Sequence, residues 1–156
     1  NLNENGLVIN VCPDVLKSCD KFSNLKSASF QPYSIAALYA KEHQLNDCLV
    51  LNTKESIADC TLANLFIIKE GKIFTPSLAD GCIKGVMRSH LIARLKETGC
   101  ACEEISITTG DLANAEEIFL TNAIKGIRWV KQCGTHLYNN TKTVEIYNRF
   151  IKTIPI

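Results

Sequence analysis

The stretch Lys84-Gly85-Val86-Met87-Arg88 has the residue types of an anion site. Gly85 lets the backbone come close to a ligand, and the amides of Val86 and Met87 stand free at a helix start. The positive end of the helix dipole usually attracts an Asp or Glu into the first turn. Here the flanking charges are Lys84 and Arg88 instead, so the negative charge is expected from outside, and a phosphate group is the natural guest. The same residues also suit a plain glycine turn with basic side chains on a solvated face. A second candidate is Thr121-Asn122, where a strand runs into the turn Asn122-Ala123-Ile124-Lys125. Its hydroxyl and amides could close on the same anion; taken alone, it is an Asn-initiated turn.

Two further residues could carry covalent or acid–base chemistry. Lys26, in SNLKSASF, lies just before a helix among small polar residues. A lysine that condenses with a carbonyl must be neutral part of the time, which burial and nearby positive charge favour. The chain has 17 Lys and Arg, so the ordinary surface role competes for it. Asp59, in IADCTLANLF, is an acid in an apolar strand region. Such an acid needs a partner or caps a turn. Cys100-Ala-Cys102 lacks a second ligand pair and a nearby His, so it reads as two buried thiols on a strand rather than a metal site.

The elements that must position these residues follow from pattern. GLVINV (6–11) reads as a strand ended by Pro13, followed by a polar connection. QPYSIAALYAKEHQL (31–45) reads as a helix with Pro32 in its first turn and Ile35, Leu38, Tyr39 and Leu45 on its apolar face. DCLVLN (47–52) and LANLFIIK (62–69) read as strands, with EGK a tight turn into IFTP. A helix from about Val86 to Thr98, with Met87, Leu91, Ile92 and Leu95 on one face, stops at Gly99. CEEISI (102–107) reads as a strand and TTGDLANA as a short capped helix. EEIFLTN (116–122) and GIRWVKQC (126–133) read as strands. TKTVEIYNRFIKTI (141–154) reads as a closing helix with Val144, Tyr147, Phe150 and Ile151 on one face. Strands and helices do not alternate strictly, so an α+β fold with a mixed sheet and flanking helices is expected rather than a doubly wound one.

Composition narrows the function. With 156 residues the chain is long enough for one domain with a core. A net charge of +1 gives no electrostatic case for nucleic acid or an anionic membrane as partner. No apolar run reaches the length of a membrane span, and NLNENG is not a signal peptide. Eight cysteines, mostly beside apolar residues, point to a reducing, cytoplasmic compartment. The first residue is Asn rather than Met, as expected of a trimmed chain or a piece of something longer.

Taken in order, LKSASFQPYSIAALYAKEHQLNDCLVLN, IADCTLANLFIIKEGKIFTPSLADGCIKGVMR and EIFLTNAIKGIRWV resemble the class IV aminotransferases over about residues 6 to 131. These are the pyridoxal-phosphate enzymes of fold type IV: branched-chain and D-amino-acid aminotransferases and aminodeoxychorismate lyase. The resemblance implies a pyridoxal 5'-phosphate cofactor held as a Schiff base on Lys26, the catalytic lysine. It implies cofactor contacts from the amides of Val86 and Met87 and from the turn at Asn122 and Ala123. Asn64 and Leu65 fall on the family's NLF signature, as scaffold. Asp59 stands where the family has a Glu that pairs with the pyridine nitrogen, one methylene shorter. Ala123 stands where aminotransferases often carry Thr, a form more like the lyase.

The resemblance further implies that residues 1–156 are a carboxy-terminal cofactor-binding domain, without the family's amino-terminal domain, and that the enzyme is a homodimer acting on a small amino substrate. The expected activity is transamination of the branched-chain type. Pyruvate elimination from aminodeoxychorismate is the alternative, and a truncated or degenerate non-catalytic domain is another.

Overall fold

The computed structural model describes residues 1–28 and 31–152. Its strands are β1 (Leu7–Lys17), β2 (Asp47–Asn52), β3 (Ile57–Cys60), β4 (Asn64–Lys69), β5 (Lys72–Pro76), β6 (Cys102–Ile105), β7 (Glu117–Asn122), β8 (Gly126–Cys133) and β9 (His136–Leu137). Its helices are α1 (Gln31–Glu42), α2 (Val86–Glu97), α3 (Thr109–Ala113) and α4 (Thr141–Phe150). The strands form one mixed sheet in the order β3-β2-β1-β8-β7-β4-β5-β6, with β9 paired to β8. β1 runs parallel to both β2 and β8, and β5 parallel to β6; the other pairs are antiparallel. This is the expected α+β architecture.

Alternation along the strands sorts the core onto two faces. Leu65 and Ile67 of β4 and Ile118 and Leu120 of β7 join Ile9, Leu49, Ile57 and Val130 on one face. Phe66, Ile68 and Phe119 point the other way, onto Met87, Leu91, Ile92 and Leu95 of α2 and Ile146 and Phe150 of α4. The Phe66 and Phe119 rings stack with centroids 5.0 Å apart. α1 packs separately on β1 and β2 through Tyr33, Ala36 and Ala40, against Cys12, Cys48 and Val50. Among the described residues no helix is long and apolar enough to cross a membrane.

The structure departs from the sequence expectation at several places. β1 does not end at Pro13 but continues to Lys17, with the β1–β2 register shifting between Val11 and Leu16. Proline lies in this irregular stretch, where a missing N–H disrupts no regular ladder. α1 ends at Glu42 because Gln44 turns left-handed (φ 57°) and the amide of Leu45 bonds back to the Ala40 carbonyl. Its buried face is Tyr33, Ala36 and Ala40, not Leu38, which is 61% exposed; small residues let the helix sit close on the sheet. The short strands β3 and β9 carry no pattern long enough to announce them. Of the expected face of the closing helix, Phe150 and Ile151 are buried, whereas Val144 and Tyr147 are only half-buried and Thr143 and Ile146 are buried in addition. Residues 153 and 154 of the expected closing helix lie outside the described residues.

α4 takes its cap from another element. Its N-cap, Asn140, makes no side-chain cap bond. The buried carboxylate of Glu117, on β7, caps the helix from across the sheet instead. It accepts from the amides of Lys142 and Thr143, each at 2.8 Å, and from the Thr143 hydroxyl at 2.7 Å. Glu117→Ala should therefore strip three donors of their acceptor and lower stability by about 1–3 kcal/mol. Urea denaturation followed by circular dichroism checks it; an unchanged midpoint would assign the helix start to other contacts.

Candidate functional site

The β4–β7 ladder pairs Asn64 directly with Thr121, and this register sets the floor of a cavity of about 210 Å3. Asp59 enters it from the end of β3 and Lys26 from the segment between β1 and α1. The first turn of α2 contributes Val86 and Met87, and the β7–β8 turn contributes Asn122 and Ala123. All six residues singled out in the sequence thus line one space. A second cavity of about 260 Å3 shares Lys26, Leu62 and Asn122 with it and is bordered also by Asp47, Ile124, Lys125 and Arg128.

Asp59 is 2% exposed, and its carboxylate is met by donors from four elements. Oδ1 accepts from Asn64 Nδ2 at 2.8 Å. Oδ2 accepts from the Ile83 amide at 2.7 Å, the Tyr33 hydroxyl at 2.9 Å and Lys17 Nζ at 3.5 Å. Burial pushes the carboxyl up to about 6, with the Lys17 charge the largest opposing influence, followed by the hydrogen bonds. The Tyr33 phenol is pushed well up, by burial first and then by Asp59. The acid therefore has the partner its sequence context demanded. That partner is a lysine hidden in what reads as a polar connection, and a tyrosine on the first turn of α1.

The helix start at α2 behaves as the sequence suggests, with one correction. Its first turn carries no acid and its N-cap Gly85 no side-chain bond, and Val86 and Met87 line the cavity. Gly85, however, is required by the protein itself. Its φ is an ordinary −66°, but a Cβ built there would fall on Oδ1 of Asn64. Asn64 in turn donates to Asp59 and to the Ile83 carbonyl, so it ties the acid to the loop that launches α2. Arg88, read as a flanking charge, is 2% exposed and turns away to the Pro76 carbonyl and Glu104.

The β7–β8 turn is an Asn-initiated turn: Asn122 Oδ1 accepts from the amides of Ile124 and Lys125. The neighbouring Thr121 hydroxyl lines the cavity, is buried, and has no hydrogen-bond partner among the described residues. A buried hydroxyl left without a partner costs stability, so a ligand acceptor in this cavity would satisfy it.

Comparison with known proteins bears on the family and the fold. The family model for amino-transferase class IV matches residues 8–133. An aminodeoxychorismate lyase of Vibrio harveyi is 33% identical over 81 residues, which are 52% of this chain and 30% of that protein. The crystal structure of 4-amino-4-deoxychorismate lyase from Pseudomonas aeruginosa superposes with a TM-score of 0.88 at 22% identity, over 97% of this chain and 56% of that one. That of the Escherichia coli branched-chain amino acid aminotransferase gives a TM-score of 0.87 at 21% identity, over 95% of this chain and 52% of that one. The chain thus spans about half the length of these solved structures. On the extent of the family match, and with a fold shared with both kinds of enzyme, this chain belongs to the class IV aminotransferases.

Proposed function

We propose that this chain is the cofactor-binding portion of a pyridoxal-phosphate enzyme that acts on the amine of a small amino-acid substrate. The observation that carries the reading is one cavity that joins an amine, an acid and two sets of phosphate donors. The residues fit the group. The first-turn amides of α2, the Thr121 hydroxyl and the Asn122-Ala123 turn suit a phosphate ester. Among the described residues Asp59 Oδ1 accepts from Asn64 alone, and a carboxylate oxygen can accept a second donor, which suits a pyridine N–H. Lys26, which lines both cavities, supplies the amine that takes the cofactor aldehyde.

When bound, pyridoxal phosphate supplies an electron sink for carbanion chemistry at the substrate's α-carbon. Lys26 then carries the proton taken from that carbon, as general base. Asp59 presents a negative carboxylate to the ring nitrogen, and the second cavity receives the rest of the substrate. Transamination of a branched-chain type substrate is the default. Pyruvate elimination from aminodeoxychorismate is the second reading, favoured by Ala123 in the turn and by the lyase relative. An amino-terminal domain and a second subunit would complete the pocket in a cytoplasmic homodimer.

Adding pyridoxal phosphate should produce a visible absorption band. Borohydride reduction followed by peptide mass mapping should place the label on Lys26. A label elsewhere, or no band with or without a relative's amino-terminal half, would leave the non-catalytic reading. Release of pyruvate from aminodeoxychorismate, against formation of a keto acid from leucine or valine, separates lyase from transaminase.

Two variants test the phosphate donors. Thr121→Val keeps the shape and removes a hydroxyl that no described residue uses. Cofactor affinity should fall about tenfold or more, for a hydrogen bond to a charged group of about 1.5–3 kcal/mol. Urea stability of the cofactor-free protein should stay level or rise. Gly85→Ala forces Asn64 or the start of α2 to move and should weaken the cofactor at least as much, read by fluorescence titration.

A further inference from the structure

Lys17 stands in a position that the cofactor reading does not use. It is 7% exposed, and its ammonium is surrounded by acceptors: the Ser23 and Gly81 carbonyls, the Tyr33 hydroxyl and Asp59 Oδ2. Its 3.5 Å pairing with Asp59 is the one ion pair that either residue makes among the described residues. Both are almost wholly out of water, with side-chain exposures of 8% and 2%. Removing one member of such a pair leaves an uncompensated buried charge.

The geometry is also directional. Lys17, Tyr33 and the Ile83 amide all converge on Oδ2, and among the described residues Asn64 alone donates to Oδ1. Other titratable groups near Asp59 are the thiols of Cys60 and Cys82, each raised by burial, and Lys26 and Lys84, which line the same cavity. Lys17 is thus the cation that balances the acid, and it acts from the oxygen that a ring nitrogen would not need.

Building on the cofactor reading above, we propose that Lys17 is a positioning residue: it keeps the Asp59 carboxylate charged and turns Oδ1 toward the ring nitrogen. A short Asp side chain in a dry site cannot follow its ligand outward, so it must be held in place and in the ionised form by the protein. Lys17 does both, and its carbonyl contacts lock the 18–24 and 78–81 loops to the same point.

The test begins without cofactor. In the full chain, followed by NMR, the Asp59 carboxyl carbon should titrate with a midpoint near 6, and the Lys17 nitrogen should shift in step with it. In Lys17→Met the Asp59 midpoint should rise by about 1–3 units, the usual effect of an opposite charge at this range; Lys17→Arg should bring it back toward wild type. Stability against urea gives a second readout. Because the folded acid titrates above its ordinary 3.8, its neutral form favours folding at low pH. That contribution is lost as pH rises through the folded midpoint, so in Lys17→Met the loss should extend to higher pH. With pyridoxal phosphate labelled at the ring nitrogen, that nitrogen should be protonated at neutral pH in wild type and not in Lys17→Met. An unmoved Asp59 midpoint in Lys17→Met, an arginine variant that behaves like the methionine one, or a ring nitrogen equally protonated in both would overturn the proposal. Should Lys17→Met not fold, a wild-type Lys17 nitrogen that does not sense the Asp59 titration overturns it alone. Failure of the cofactor to label Lys26 counts against the cofactor reading, whereas the cofactor-free titration tests the Lys17–Asp59 pair independently of it.

Discussion

A carboxylate that is almost wholly buried has to be met by donors, and the fold around Asp59 is arranged to bring them. Tyr33 comes from α1, Lys17 from the end of β1, Asn64 from β4 and the Ile83 amide from the loop before α2. The lysine, the tyrosine and the amide lie 42, 26 and 24 positions from the acid along the chain. The acid therefore acts as a local organiser: satisfying one buried charge fixes the relative placement of a helix, two strands and a loop. The opposite end of the cavity is built differently. There the donors are backbone amides and one hydroxyl, which need no ion pairs and depend only on where α2 begins and β7 ends.

This difference explains how much of the site is legible in the sequence. The amide sites at Val86–Met87 and Asn122–Ala123 are local: a glycine, a helix period and an Asn turn announce them within a few residues. The same holds for α2, whose expected face of Met87, Leu91, Ile92 and Leu95 is the buried one, and for β4 and β7, whose apolar runs are long enough to see. Three of the four partners of Asp59 are not local; only Asn64, five positions on, is. Lys17 escapes local rules because Pro13 reads as the end of a strand, whereas the sheet carries β1 through an irregularity. Tyr33 gives no signal of its role, because its neighbours Ile35 and Leu38 read as the apolar face although Ala36 and Ala40 do the packing. Gly85 hides its reason in the same way: the close approach it permits is to Asn64, on a different strand, and not to a ligand alone.

The family resemblance and the bottom-up reading contribute different things. Fold alone does not select a reaction, and this fold is shared at similar TM-scores with a lyase and a transaminase. What separates the two reactions therefore has to come from side chains rather than from the path of the backbone.

The placement of β1 also governs how the molecule can be made. It lies in the middle of the sheet, between β2 and β8, and the segment leading into it is bonded to Trp129, 126 positions away in the chain. Contacts so distant close late and slowly. A nascent polypeptide would carry one flank of its central strand exposed until β8 had left the ribosome. That flank is an open template for pairing with other chains, so the yield of this protein should be governed by the interval between synthesis of those two strands.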